Sequence, residues 1–331
     1  MAKVAESAML LTRSDNIVFI IVTIFQCKYS ATKLRLFFEK RKEKKKKSLH
    51  IYLLKPIFAL LKSPTFMKAI VLITGATSGI GRATAELLSE KGYQVYGTAR
   101  TIEEQPKGYT LLAMDVRDTS SVRQAVEAIL SREGHIDILI NNAGVGITGA
   151  IEETPVEALE NAFQTNVFGA VRVIQAVLPS MRAQRKGKII NITSVAAYMG
   201  LPFRGGYSAS KGALMLLTES LRMETEQFGI SFCSLAPGDV ATDIASRRFH
   251  TPAIEGSPYE QYAKALPHMN EDIAKGLPAE ALAHSIYHLI EKKAPKVHYV
   301  KGKTLERLSI LLKKILPSKC FERLLKGHYQ L

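Results

Sequence analysis

The stretch Ala69-Ile70-Val71-Leu72-Ile73-Thr74-Gly75-Ala76-Thr77-Ser78-Gly79-Ile80-Gly81-Arg82-Ala83-Thr84-Ala85-Glu86-Leu87-Leu88 decides the fold. Its first five residues are a continuous apolar run, the pattern of a strand buried on both faces. Three glycines follow, and apolar residues then recur with helical spacing from Ala83 onward. The reading is strand, glycine turn, helix. Gly75 suits a tight turn, Gly79 lets backbone amides approach a pyrophosphate, and Gly81 permits close helix–strand packing at a helix N-terminus that favours anions. The spacing is G-x-x-x-G-x-G, which differs from the commoner G-x-G-x-x-G. A glycine turn by itself is also just a tight connection, so its place between a strand and a helix carries the reading.

Beyond this unit the chain alternates strand and helix as far as Gly238. Candidate strands end near Thr74, Thr98, Val116, Asn142, Ser194 and Ala236, and 297–300 is a last one. The longest helical stretches run over 155–185 and 206–228. This rhythm predicts an α/β fold, a Rossmann-like doubly wound parallel sheet in one domain.

Tyr207 and Lys211 stand four apart in Tyr207-Ser208-Ala209-Ser210-Lys211, so on a helix they share one face. A nearby cation lowers a phenol's pKa, which makes Tyr207 a candidate general acid and base. Ser194 closes the apolar run 188–194, at a strand's carboxyl end where open α/β sheets bind ligands. A tyrosine and a lysine at this spacing usually form a solvated helix face, so the pair alone decides nothing.

Taken together, Thr74-Gly75-x-x-x-Gly79-Ile80-Gly81, Asn141-Asn142-Ala143-Gly144, Asn166, Ser194, Tyr207-x-x-x-Lys211 and Pro237-Gly238 resemble the short-chain dehydrogenase/reductase family in order and spacing, over about residues 67–300. The resemblance implies a catalytic tetrad: Tyr207 exchanges a proton with the substrate oxygen and Ser194 positions that oxygen. Lys211 binds the nicotinamide ribose and lowers the tyrosine pKa, and Asn166 holds a relay water. It further implies a nicotinamide dinucleotide held by Gly75, Thr77, Ser78, Gly79, Ile80, Asp115, Val116, Asn142, Ala143, Gly144, Tyr207, Lys211, Pro237, Gly238, Val240 and Thr242. Asp115 is the family aspartate that meets the adenine.

The choice between NADP(H) and NAD(H) turns on charge at the end of the second strand. Ala99 stands where NAD-dependent relatives carry aspartate, and Arg100, which follows it, would attract a 2′-phosphate. NADP(H) is favoured, with NAD(H) as the alternative, because Ser78 stands where many NADP-dependent relatives have a second basic residue. Val145, Tyr198 and Met199, with Ala196 and Phe203, are expected to face the reacting carbonyl with Ser194 and Tyr207. They form an apolar lining suited to a hydrophobic ketone, aldehyde or secondary alcohol. Residues 239–277 read as an irregular insert, which in the family is a mobile lid.

Charge is uneven along the 331 residues, whose net charge is +15. Residues 1–66 carry 14 Lys and Arg against 4 Asp and Glu, residues 67–295 carry 22 against 24, and residues 296–331 carry 9 against 2. A nearly neutral body argues against nucleic acid as a partner, since a binding domain would carry its positive stripe on the fold itself. The 304–331 tail reads as a basic amphipathic helix broken by Pro317. It would pack on the protein, with peripheral membrane contact as the other possibility. Residues 1–66 read as a gene-start extension or a disordered basic arm, with Met67 as the functional start. Their apolar run 17–25 is too short to span a bilayer.

Three scattered cysteines and eight unclustered histidines suggest neither a disulfide framework nor a metal site, consistent with a cytoplasmic protein. The domains expected are 1–66, 67–303 and 304–331. The function expected is a carbonyl reductase or alcohol dehydrogenase, and the family habit implies a homo-oligomer. The rival readings are an epimerase-type enzyme on the same fold and a dinucleotide-sensing interaction protein.

Overall fold

The computed structural model describes residues 69–242, 248–251, 256–329 and 331. The expectations for residues 1–66 and for Met67 as a start lie outside the described residues. Seven parallel strands form one sheet: β1 (Ile70–Thr74), β2 (Gln94–Ala99), β3 (Thr110–Ala113), β4 (Ile138–Asn141), β6 (Gly187–Ile192), β7 (Ile230–Pro237) and β9 (His298–Lys301). Their order is β3-β2-β1-β4-β6-β7-β9. The chain runs outward from β1 to one edge and then returns to add β4 on the other side, so β1 and β4 flank the switch point where such sheets open a crevice. Register is set there by Val71 opposite Ile138 and, on the other flank, Ile70 opposite Gln94.

Strand side chains alternate between faces, and both faces of β1 are buried. Val71 and Ile73 enter one core layer with Leu88, Ile140, Ile190 and Ile286. Leu72 enters the other with Leu139, Ile129, Ile174 and Phe232. This accounts for the unbroken apolar run, where a one-faced strand would alternate. The first layer is covered by α1 (Gly79–Glu90) and α7 (Ala279–Glu291), and the second by α2 (Thr119–Glu133) and α4 (Ala170–Gln184).

Three elements depart from the expected pattern. The single helix expected over 155–185 is α3 (Val156–Phe163), a π turn (Gln164–Gly169) and then α4. Nothing in the apolar spacing marks that turn. The insert is partly regular: β5 (Ile147–Thr148) pairs with β8 (Phe249–His250), and α6 (Glu260–Ala274) carries Pro267 within it. The third strand ends at Ala113, short of Val116. The catalytic helix α5 (Gly205–Thr225) begins as expected, and the tail forms two helices, α8 (Thr304–Ile315) and α9 (Ser318–Tyr329), divided at Pro317.

Candidate active site

At the carboxyl edge of the sheet a cleft of about 460 Å³ opens between the ends of β1, β4, β6 and β7. The glycine turn builds its floor. Gly79 has φ of +53°, a conformation that side chains rarely adopt, and a Cβ on Gly81 would lie 2.1 Å from the Gly75 carbonyl oxygen. Those constraints let α1 start hard against β1, with Ser78, Gly79 and Ile80 lining the cleft.

Asn142 fastens the other side of the switch point. Its Nδ2 donates to the carbonyls of Thr74 and Gly75, both at 3.0 Å, while the amides of Asn142 and Ala143 donate to Thr74 Oγ1 at 2.9 Å. One asparagine and one threonine therefore hold β4 to β1 where a cofactor's diphosphate would lie. Deeper in the sheet, Asn141 Nδ2 donates to Asn191 Oδ1 at 3.0 Å.

Helix α5 and the turn after β6 bring the acid–base group together. Tyr207, Ser194 and Lys211 all line the cleft. The Ser194 hydroxyl stands close enough to the Tyr207 phenol to lower its pKa. Lys211 Nζ lies 5.9 Å from the centre of the Tyr207 ring and donates to the Ile192 carbonyl at 3.0 Å. Burial pushes the Tyr207 phenol above its usual range, opposed first by the charge of Arg204 and then by the Ser194 hydroxyl. Burial also depresses Lys211, to about 8. The cation nearest in effect to the phenol is thus Arg204, whose Cζ lies 5.4 Å from the Tyr207 ring centre.

Asn166 stands behind the cleft wall. The π turn buries it and points its amide at Val145: Oδ1 accepts from the Val145 amide at 2.8 Å, and Nδ2 donates to the Val145 carbonyl at 2.9 Å and to Ser210 Oγ at 3.0 Å. It ties the segment after β4 to the catalytic helix. A π turn inside a helix commonly marks such a functional position.

At the far end, Arg100 lines the cleft and is exposed, and among the described residues it has no ion-pair partner. Asp115 and Val116 line the same end. Asp115 is paired with Arg117 at 2.7 Å, and that contact holds its carboxyl below the usual range. Arg117 is a second cation here, but its charge is compensated by Asp115. Thr77, Gly75, Ala143, Gly144, Pro237, Gly238, Val240 and Thr242 complete the same lining. A tight glycine turn, a helix N-terminus and an unpaired arginine at the ribose end fit a nicotinamide dinucleotide.

The substrate end corrects the sequence reading. Val145 lines the cleft, but Tyr198 and Met199 do not. Met199 is buried against Ile310 and Phe321 of the tail, and Tyr198 packs edge-on to His298 in the same region. Phe203 turns away to stack on Tyr262, with ring centres 5.3 Å apart. Tyr198 and Met199 pack instead with tail residues such as Ile310 and Phe321, more than 100 positions away in sequence, while Ala196 packs with Tyr207. Beside Tyr207 the cleft carries Arg204, Asp239 and Arg248 as well as the apolar Val145 and Ile147. Arg204 was legible in principle, lying three residues before Tyr207 at helical spacing; Arg248 sits in the insert, where no spacing rule applies.

The tail braces this end. Glu306, in the first turn of α8, accepts from the Asp239 amide at 2.7 Å and from the Lys303 amide. A Cβ on Gly238 would lie 2.0 Å from the Glu306 carboxylate, so that glycine is what lets the brace reach the loop after β7. Burial raises the Glu306 carboxyl above its ordinary range. Tyr329, buried at the end of α9, interacts with the Arg204 guanidinium.

A buried serine, tyrosine and lysine facing a dinucleotide cradle at the switch point of a parallel sheet define a nicotinamide-dependent oxidoreductase acting between CH–OH and carbonyl groups. The short chain dehydrogenase family model matches residues 69–253. The chain belongs to the short-chain dehydrogenase/reductase family. It is 39% identical over 264 residues to the 3-ketodihydrosphingosine reductase of Bacteroides thetaiotaomicron, covering 78% of this chain and 97% of the relative. It is 33% identical over 249 residues to the NADPH-dependent 3-dehydrocapnine reductase of Ornithobacterium rhinotracheale, covering 69% and 86%. Among solved structures, a short-chain dehydrogenase/reductase from Burkholderia phymatum in complex with NAD is similar at a TM-score of 0.65 and 26% identity, covering 78% of this chain and 96% of that one.

Proposed function

We propose that the protein is an NADP(H)-dependent ketoreductase that reduces a ketone on a long hydrophobic chain; a 3-keto lipid is the substrate named for its Bacteroides relative, and the head group of this protein's own substrate is a separate question. The observation that carries the reading is the meeting of Ser194, Tyr207 and Lys211 in one cleft with the glycine turn. Arg100 supports NADP(H), because a guanidinium with no ion-pair partner among the described residues would attract a 2′-phosphate.

The chain's own residues account for the proton side of the reaction. The phenol of Tyr207, kept protonated at neutral pH by burial, donates to the ketone oxygen as that oxygen gains negative charge. Ser194, which lines the same cleft, would give the second hydrogen bond that fixes the oxygen's place. Lys211 stands on the same helix face, where it would meet a ribose hydroxyl. The nicotinamide supplies the hydride when bound.

A hydrophobic substrate also suits the outer face of α8. Leu305, Leu308, Leu311 and Ile315 are exposed there beside Lys313 and Lys314. That face would lie on an anionic membrane surface, while the inner face packs on the protein through Ile310. Among the described residues no helix is long and apolar enough to cross a membrane.

The test is oxidation of NADPH and of NADH with 3-ketodihydrosphingosine and chain-matched simple ketones, with Tyr207→Phe as control. Turnover with NADPH that disappears in the variant is the expected result. Turnover confined to NADH would overturn the cofactor reading, and none with any ketone would overturn the reductase reading.

A further inference from the structure

The wall beside Tyr207 carries more positive charge than it neutralises. Arg204 and Arg248 both line the cleft near Asp239, and the other carboxylate among its described lining residues, Asp115, is paired with Arg117 at the far end. Asp239 Oδ1 stands 3.9 Å from Arg204 Nη1, a loose pairing. Arg248 is 6% exposed, and its Nε is buried with no hydrogen-bond partner. Its Nη2 donates to Asn270 Oδ1, a neutral acceptor. Burial depresses Arg248, and the charge of Arg204 depresses it further.

An arginine nine-tenths buried with no carboxylate within ion-pair distance among the described residues is costly, and an unpaired N–H on it more so. Sites of this kind are retained when a ligand supplies the anion. Two guanidiniums on one wall present forked donors, and oxyanions are the groups that such donors match.

We infer that the cleft holds, next to the ketone, an oxyanion substituent of the substrate (phosphate, sulfonate or carboxylate) received by Arg248 and Arg204. The inference rests on the ketoreductase reading, and it narrows the substrate to a chain-borne ketone with an anionic head. Asn270 on α6 and Tyr329 on α9 then act as positioning residues, holding Arg248 and Arg204 toward the cleft.

The test separates binding from turnover. The full chain, saturated with NADP+, is titrated calorimetrically with hexylphosphonate, hexanesulfonate and hexanoate, and with hexanol and hexylammonium as neutral and cationic controls. The expected result is that at least one anion binds ten-fold or more tightly than both controls. Which anion leads distinguishes phosphate, sulfonate and carboxylate. Arg248→Gln should erase the preference and Arg248→Lys should restore part of it. Equal binding of all five probes, or preference for hexylammonium, would overturn the proposal even if ketones are reduced. Should Arg248→Gln fail to fold, the wild-type probe series still decides. Failure of every ketone to turn over, with anion preference intact, would count against the reductase reading and leave the anion site standing.

Discussion

Tyr207 and Lys211 carry opposite consequences of the same burial. The phenol is raised and the ammonium lowered, so each is pushed toward its neutral form. Tyr207→Phe removes the proton donor while leaving the ring's packing, and kcat for ketone reduction should fall by roughly 10²–10⁴-fold, as removal of a general acid does. Arg204 lowers the phenol's pKa, so Arg204→Gln should raise it. The alkaline limb of the kcat/KM profile for reduction should then move to higher pH, and a profile that stays in place would show that Arg204 does not tune the phenol.

Burial depresses Lys211 to about 8 in the folded protein, against an ordinary value near 10.5. Between those values the unfolded chain binds more protons, so the lysine's contribution to stability rises with pH across that window. Denaturation of the cofactor-free wild type should gain roughly 3 kcal/mol relative to Lys211→Met between pH 8 and pH 10.5. At the other end of the cleft, Arg100→Ala should raise KM for NADPH about ten-fold or more and leave KM for NADH nearly unchanged. Ser194, Tyr207, Lys211 and the glycines were legible because helical and strand spacing fixes which face they share. Tyr198 and Met199 were not, because they pack on tail residues more than 100 positions away, a contact that no periodicity announces.

The elements show where local rules suffice and where packing decides. The turn into α1 is fixed by sequence alone. Gly81→Ala would place a methyl 2.1 Å from the Gly75 carbonyl, which can be relieved only by shifting α1 away from β1. Cofactor affinity, read by nicotinamide fluorescence, should fall sharply, and stability should drop by roughly 1–3 kcal/mol. By contrast, the π turn that buries Asn166 sits in an amphipathic run that reads as one helix, and its cause is tertiary: the Asn166 amide satisfies both the amide and the carbonyl of Val145. Helix α8 has two apolar faces, one used and one exposed. Leu308→Glu with Leu311→Glu should abolish flotation with phosphatidylserine vesicles and leave reduction of short water-soluble ketones intact. If the pair has no effect on flotation, that face does not meet lipid.

At the scale of the molecule, the tail is structural as well as basic. Phe321 is 3% exposed and packs with Ile310 and Met199, so it pins the two tail helices to the turn that follows Ser194. Phe321→Ala should cost roughly 3–5 kcal/mol if the tail melts together with the sheet, read as one shifted transition in chemical denaturation. A separate early transition accompanied by loss of activity would show that the tail detaches first. Its basic composition was legible, but its role as a brace was not, because the contact of Glu306 with the Asp239 amide joins residues 67 positions apart.

The strand order also sets a timetable. β1, β2 and β3 are made consecutively and are neighbours, so the glycine turn, Arg100 and Asp115 can come together before residue 120 is synthesised. The opposite flank of β1, apolar on both faces, waits for β4 at Ile138. Tyr207 follows much later, and the tail after that. At roughly 5–20 residues per second, the half-sheet that would hold the nucleotide stands with an open, sticky edge for several seconds on the ribosome. In that interval a chaperone, or the cofactor itself, has most to offer a nascent chain.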